Sequence, residues 1–158
     1  MNSPTVDYPL HILAIGLHDR PGAVHSVSDV FSGRGLQMEA FYGTSDKLSA
    51  DGHASALILF HASPDRACLV SRVIRRLSCV RTAELLAAAD PRLVMSVLVA
   101  NEVATVPADI RLTALDGKTA LALGSPAAMQ DWLASGKAPR RLGALRLDKA
   151  PEQDHPPS

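Results

Sequence analysis

The stretch His11–Thr44, HILAIGLHDRPGAVHSVSDVFSGRGLQMEAFYGT, constrains the chain more than any other. It reads as strand, tight turn, helix, tight turn, strand. Leu10–Leu17 is an apolar run of strand length, and His18-Asp19-Arg20-Pro21-Gly22 breaks it. Within Ala23–Ser32, Val24, Val27 and Phe31 recur at i, i+3 and i+7, the spacing of one helix face. Gly33-Arg34-Gly35 ends that helix, because glycine accepts the left-handed backbone that a helix C-terminus requires. In Leu36–Tyr42, Leu36, Met38, Ala40 and Tyr42 alternate with Gln37, Glu39 and Phe41, which predicts a strand burying the first set. The result is a β-α-β unit with a short, polar, glycine-containing first turn.

Ser45–Gly52 is rich in turn formers and predicts a loop. Ala54–Phe60 is apolar and of strand length, and is expected to pair antiparallel with Leu36–Tyr42. Ser63-Pro64-Asp65 opens a helix: a hydroxyl cap, proline at the first helical position, an acid in the first turn. That helix, Pro64–Leu77, directs Ala67, Val70, Val73, Ile74 and Leu77 inward. Arg66, Arg72, Arg75 and Arg76 coat its other faces, most simply as a solvated surface and otherwise as a docking surface for an acidic partner. Val80–Leu86 supplies a fourth strand. The order β-α-β-β-α-β is the ferredoxin-like split β-α-β, with two helices on one face of an antiparallel sheet. A single unit of about eighty residues leaves its other face or its edges needing cover.

Ala87-Ala88-Ala89-Asp90-Pro91 marks a change of composition and a boundary. Beyond it, Leu93–Ala100 is a strand, and Ile110–Leu115 and Thr119–Leu123 flank the hairpin signal Asp116-Gly117-Lys118. Ser125-Pro126 opens a helix that ends at Ser135-Gly136 and carries Met129, Trp132 and Leu133 on one face. Leu142–Leu147 closes the unit as a strand. The first helix has no counterpart here, because Asn101–Ala108 is short and contains Pro107. The expected class is therefore α+β, with a first domain over residues 8–87 and a shorter, incomplete ferredoxin-like unit over 91–148. The missing helix predicts a sheet face for a partner subunit to cover. The tail 149–158, KAPEQDHPPS, is expected to be disordered.

Composition excludes several functions. Lys+Arg and Asp+Glu are both 16, so no basic excess points to a nucleic-acid partner. Aromatic residues make up 4%, which argues against stacking platforms. No apolar run approaches membrane length, and MNSPTVDYP has no signal-peptide pattern. Cys68 and Cys79 lack metal-ligand spacing and read as reduced thiols in a cytoplasm.

Few residues are candidates for chemistry. The turn Asp19-Arg20-Pro21-Gly22-Ala23 enters a helix N-terminus, where the amides of Gly22 and Ala23 can receive a carboxylate. Asp19 can hold an ammonium, so the turn suits a zwitterionic amino acid; it also suits a plain N-cap with Gly22 only relieving crowding. His11, His18, His25, His53 and His61 form no metal-binding pattern, and Ser26, Ser28 and Ser32 have no nucleophile-elbow context. Cys68, beside the buried stripe of the second helix, reads as a packing residue. Trp132 reads as core. No catalytic pair, metal site or phosphate-cradling loop appears, so neither enzyme nor cofactor is expected.

The pattern strand-x-D-R-P-G-A-V-x(6)-F-x(3)-G-L-Q-M resembles the first half of the ACT domain, a small-molecule-sensing regulatory module. The resemblance runs from Leu10 to about Leu86. More narrowly, the chain resembles the small, regulatory subunit of acetolactate synthase, in length, in its leading ACT domain and in Leu121-Ala122-Leu123-Gly124-Ser125 followed by Met129, Trp132 and Leu133. The resemblance implies an amino-acid ligand, homodimers through ACT domains and a catalytic large subunit of branched-chain amino acid biosynthesis as partner. Its ligand site uses an asparagine in the first turn, a glycine three residues on and an asparagine opening the second strand. Asp19, Gly22 and Gln37 occupy these positions, so two of three depart from the pattern. The candidate ligand-binding residues are thus Asp19, Arg20, Pro21, Gly22, Ala23, Val24 and Gln37.

Overall fold

A computed structural model describes residues 7–45, 53–102 and 105–149. The chain divides into two compact units, 1–87 and 88–158. The expected disordered tail beyond Lys149, the N-terminal lead before Asp7 and most of the Ser45–Gly52 loop lie outside the described residues.

The first unit contains β1 (Leu10–His18), α1 (Ala23–Ser32), β2 (Ala40–Ser45), β3 (His53–His61), α2 (Pro64–Arg75) and β4 (Val80–Ala87). Its sheet has the order β2-β3-β1-β4, with every neighbouring pair antiparallel. β1 and β2 therefore run parallel to each other on either side of β3, which is the split β-α-β arrangement. β1 and β3 pair in unbroken register from Leu10 opposite His61 to His18 opposite His53. Leu13, Ile15 and Leu17 of β1 and Ala56, Ile58 and Phe60 of β3 meet the inward stripes of both helices in one core. Phe31 and Phe60 pack edge to face there, 5.1 Å between ring centroids. On the opposite sheet face, the cross-strand neighbours Ile12, Leu59 and Leu86 are also buried.

Three details of this unit differ from expectation. The inward stripe of α1 is Ala23, Val27, Val30 and Phe31, and Val24 is exposed. Burial at i, i+4, i+7 and i+8 shows that the stripe is rotated by about one residue from the expected one. Leu36 and Met38 do pack on the core, but β2 begins only at Ala40, and there Phe41, opposite Ile58, is the residue that reaches the core. The inward phase therefore shifts between Met38 and Phe41, and Ala40 and Tyr42 belong to the other face. On α2, Ala67, Val70, Ser71 and Ile74 are buried while Val73 and Leu77 are half-buried. Cys68 is exposed rather than packed, and Cys79 is the buried thiol.

Local signals explain the helix ends. α1 ends in a Schellman motif, with Leu36 N–H donating to Phe31 O and Gly35 N–H to Ser32 O. Gly35 takes the left-handed conformation at φ 59, whereas Gly33 stays right-handed. Ser63 caps α2 through a bond from Arg66 N–H, with proline next in the chain.

The second unit contains β5 (Leu93–Ala100), β6 (Arg111–Ala114), β7 (Thr119–Gly124), α3 (Pro126–Ala134) and β8 (Arg141–Lys149). Its order, β6-β7-β5-β8, repeats that of the first sheet, and among the described residues no helix lies between β5 and β6. The sheet face toward α3 is nevertheless closed within this chain: Val97, Val99, Ala120 and Ala122 are fully buried. The segment at 105–110 helps to close it. Trp132 Nε1 donates to Thr105 O at 3.0 Å, and a Cβ on Gly124 would stand 3.2 Å from Ile110 Cγ1. That segment therefore lies against α3 and the end of β7.

Candidate functional site

The candidate site is the turn joining β1 to α1. His18 ends β1, and its N–H donates to Cys79 O at 2.9 Å. Asp19, Arg20, Pro21 and Gly22 follow, all exposed. Gly22 is the N-cap of α1, at φ 86 and ψ −6, in the left-handed region that glycine enters without penalty. The N-cap residue itself, Gly22, has no side chain to cap the helix. Gly22 O accepts both the first intrahelical bond, from Ser26 N–H at 2.9 Å, and Ser26 Oγ at 3.0 Å.

The amides divide differently from expectation. Ala23 is buried, and its N–H turns back to Arg20 O at 3.3 Å, closing the turn instead of facing outward. Helix geometry leaves the next two amides, of Val24 and His25, without intrahelical acceptors. They carry the positive end of the α1 dipole at an exposed position. Val24 is 50% exposed, so its side chain lies outside the core.

Arg20 points to α2 and β4: its Nη2 donates to Ser78 Oγ at 2.8 Å. Cys79 Sγ lies 3.9 Å from Ala23 O. Ser78 and Cys79 therefore brace the turn from 55 or more positions away in sequence. No local pattern in the chain marks them.

Gln37 is not brought to the turn. Ala40 opposes Leu59, which opposes Ile12, so Gln37 lies beyond the level of Ile12 at the far end of the sheet. Strand rise puts at least about 20 Å between it and the turn after His18. Within one chain, the two ends of the expected site stay apart.

The histidines take other roles. A His11 ring nitrogen bonds Ala62 O at 3.1 Å, and His61 Nδ1 bonds Tyr8 O at 2.7 Å. His25 lies 3.4 Å from Asp29 on the exposed face of α1. Among the described residues, no three His, Cys, Asp or Glu side chains converge. No helix among them is long and apolar enough to cross a membrane. The Asp116 carboxylate is held below its ordinary range by the amide of Lys118, then by the side chain and amide of Thr119.

Two β2-β3-β1-β4-type antiparallel sheets carrying helices define an α+β, ferredoxin-like protein. Over most of its length the chain is similar to the acetolactate synthase small subunit from Thermotoga maritima, with a TM-score of 0.54 at 11% identity, over 89% of this chain and 92% of that one. It is also similar to the regulatory subunit of aspartate kinase from Thermus flavus (TM-score 0.44, 12% identity, 82% and 94% covered). The ACT domain from the GTP pyrophosphokinase of Chlorobium tepidum matches half of it (TM-score 0.42, 21% identity, 51% and 100% covered). At such identities the likeness shows the fold alone, and the two matches below 0.5 add nothing further. No family model and no curated protein matches the chain.

Proposed function

We propose that this chain is a regulatory, non-catalytic subunit that binds a small amino acid at the β1–α1 turn and modulates a separate catalytic chain. The observation that carries this reading is the exposed N-terminus of α1, opened by Gly22 in the left-handed conformation with no side chain of its own at the cap. Its outward amides and dipole suit a carboxylate, and Asp19 in the same turn suits the ammonium of the same zwitterion. The ligand-binding set is Asp19, Arg20, Pro21, Gly22, Ala23, Val24 and Gln37. Here Ala23 serves as the buried anchor, and Arg20, tied to Ser78, as a brace.

The position of Gln37 makes a second copy part of the proposal, since only a neighbour can carry its amide to the turn. Arg75 Nη2 occupies the backbone of edge strand β4 at Ala83 O, 2.7 Å away. Among the described residues no side chain bonds the backbone of the other edge strand, β2. An open edge is a template for another strand, so β2 is the edge a homodimer would extend. An amino acid held between copies favours one dimer arrangement, with a coupling of about 1–3 kcal/mol to whatever the dimer touches.

The two-unit layout shared with the acetolactate synthase small subunit supports a cytoplasmic partner of that kind, an acetolactate synthase catalytic chain of branched-chain amino acid biosynthesis. In this reading the chain needs no cofactor of its own. A second reading, a free-standing amino-acid sensor with no such partner, draws on Asp19 and Gln37, which replace two asparagines of the pattern. Mixing the protein with the source organism's acetolactate synthase catalytic chain, and assaying activity against a panel of amino acids, separates the two. The first reading predicts altered activity that an amino acid tunes. Unchanged activity with every amino acid leaves the sensor.

A further inference from the structure

The three arginines of α2 and Arg76 at its C-cap are not equivalent. Those at the flanks are engaged in the fold: Arg66 Nη2 donates to Arg34 O at 2.5 Å on one side, and Arg75 Nη2 to Ala83 O at 2.7 Å on the other. Asp65, Leu69, Arg72 and Arg76 follow one another at i, i+4, i+7 and i+11, a stripe opposite buried Ala67, Val70 and Ile74. Leu69 is 45% exposed. Among the described residues, neither Arg72 nor Arg76 has an acceptor or an ion-pair partner.

A solvated crest would be expected to mix charge signs, because like charges at i, i+4 destabilise a helix. Arg72 and Arg76 stand in that relation with no acid between them. Arg72 and Arg75 in the last turn, and Arg76 at the C-cap, gain from the dipole, and that gain offsets part of the repulsion between Arg72 and Arg76. Leu69 has Asp65 four positions before it and Arg72 three after it, so the stripe passes from acid to base across an exposed leucine; arginine and large apolar side chains are enriched at interface centres. The chain is neutral overall, so this basic crest is a local feature and not part of a general attraction to polyanions.

We infer that the α2 crest formed by Leu69, Arg72 and Arg76 is a docking surface for a protein face that presents carboxylates around an apolar recess. Complementary charge selects the occupant: Arg72 and Arg76 take carboxylates bidentately, and Leu69 fills the recess. A polyanion would use the arginines and leave Leu69 in water. On the reading above, the partner is the catalytic chain, and the inference rests on that reading. None of Leu69, Arg72 and Arg76 belongs to the ligand-binding set, but Arg76 stands two positions before Ser78, the brace of Arg20, so L69A is the change farthest in sequence from the β1–α1 turn.

The test is the affinity of the full chain for the acetolactate synthase catalytic chain, for the wild type, R72E/R76E, R72Q/R76Q, L69A and the second-unit control R140E. Circular dichroism melts show which variants remain folded, and the glutamine pair stands in should the glutamate pair unfold. The proposal predicts that either arginine pair weakens binding about tenfold or more, that L69A weakens it several-fold, and that R140E changes nothing. It also predicts wild-type affinity that falls with added salt, and a shallower fall for the paired variants. Wild-type binding with all variants unaffected overturns the docking surface and leaves the regulatory reading intact. Loss on the arginine changes with L69A indistinguishable from wild type overturns the mixed apolar and acidic partner. Absence of wild-type binding overturns both.

Discussion

Replacing Gly22 by alanine isolates the backbone feature on which the site depends. Gly22 sits at φ 86, and a Cβ built there meets nothing within 4 Å. Steric crowding therefore contributes nothing, and the whole effect is conformational. Holding an L-residue in the left-handed region costs about 1–2 kcal/mol. The stiffer unfolded chain of the alanine variant offsets about 0.4–1 kcal/mol of that. The net expectation is a loss of about 1 kcal/mol, or about 0.5 M in the urea midpoint for an ordinary slope. Gly22→Asn should lose less, because asparagine tolerates this conformation better. Gly117→Ala is the control: its φ is not in the left-handed region and its Cβ space is open, so alanine there should be neutral or slightly stabilising. Urea titration followed by far-ultraviolet circular dichroism measures all three. A Gly22→Ala variant within about 0.3 kcal/mol of wild type, or a Gly117→Ala variant that loses as much, would refute the reasoning.

Phe31→Ala empties a fully buried site packed edge to face on Phe60, and should cost about 3–5 kcal/mol in chemical denaturation. Ser63→Ala and Ser125→Ala each remove a side-chain acceptor from a helix N-terminus, at Arg66 N–H and Ala128 N–H, and should each lower stability by about 1 kcal/mol. Trp132→Phe keeps most of the ring but loses the bond to Thr105 O, for a loss of about 0.5–1.5 kcal/mol that melting curves can resolve. Asp116→Asn should melt lower than wild type at neutral pH, and the gap should close in strong acid. The folded carboxylate has a depressed pKa, so its contribution is present above the unfolded value and disappears as pH falls through the folded one.

Much of the architecture could be read from local residues. α1 spans Ala23–Ser32 as its flanking turns imply, and α2 and α3 start where serine precedes proline. The hairpin at Asp116 forms because its carboxylate accepts the amides of Lys118 and Thr119. What could not be read is long-range. The phase of β2 is set by its pairing with β3, with Phe41 opposite Ile58, and strict alternation from Leu36 misplaces it. Val24 and Val30 are equally apolar, and only the position of the sheet decides which of them is buried. Cys68 and Ser71 are both small, and α2 turns the serine inward. At the site, Gly22 was legible as a turn residue, but the brace between Arg20 and Ser78 spans 58 positions and leaves no trace in either segment. The packing of the segment carrying Thr105 and Ile110 against Trp132 and Gly124 was likewise invisible, because a chain without helical periodicity gives no sign of what it will touch.

The most direct measurement is a thermal-shift titration of the wild type, Asp19→Ala and Gly22→Ala against all twenty amino acids. The account predicts that at least one amino acid raises the wild-type melting temperature in a saturable way, with stabilisation near 2.7 kcal/mol at about 100 times its dissociation constant. It predicts that both variants need markedly more of the same amino acid for the same shift. No shift with any amino acid at saturating concentration, or an equal shift in all three proteins, would contradict it.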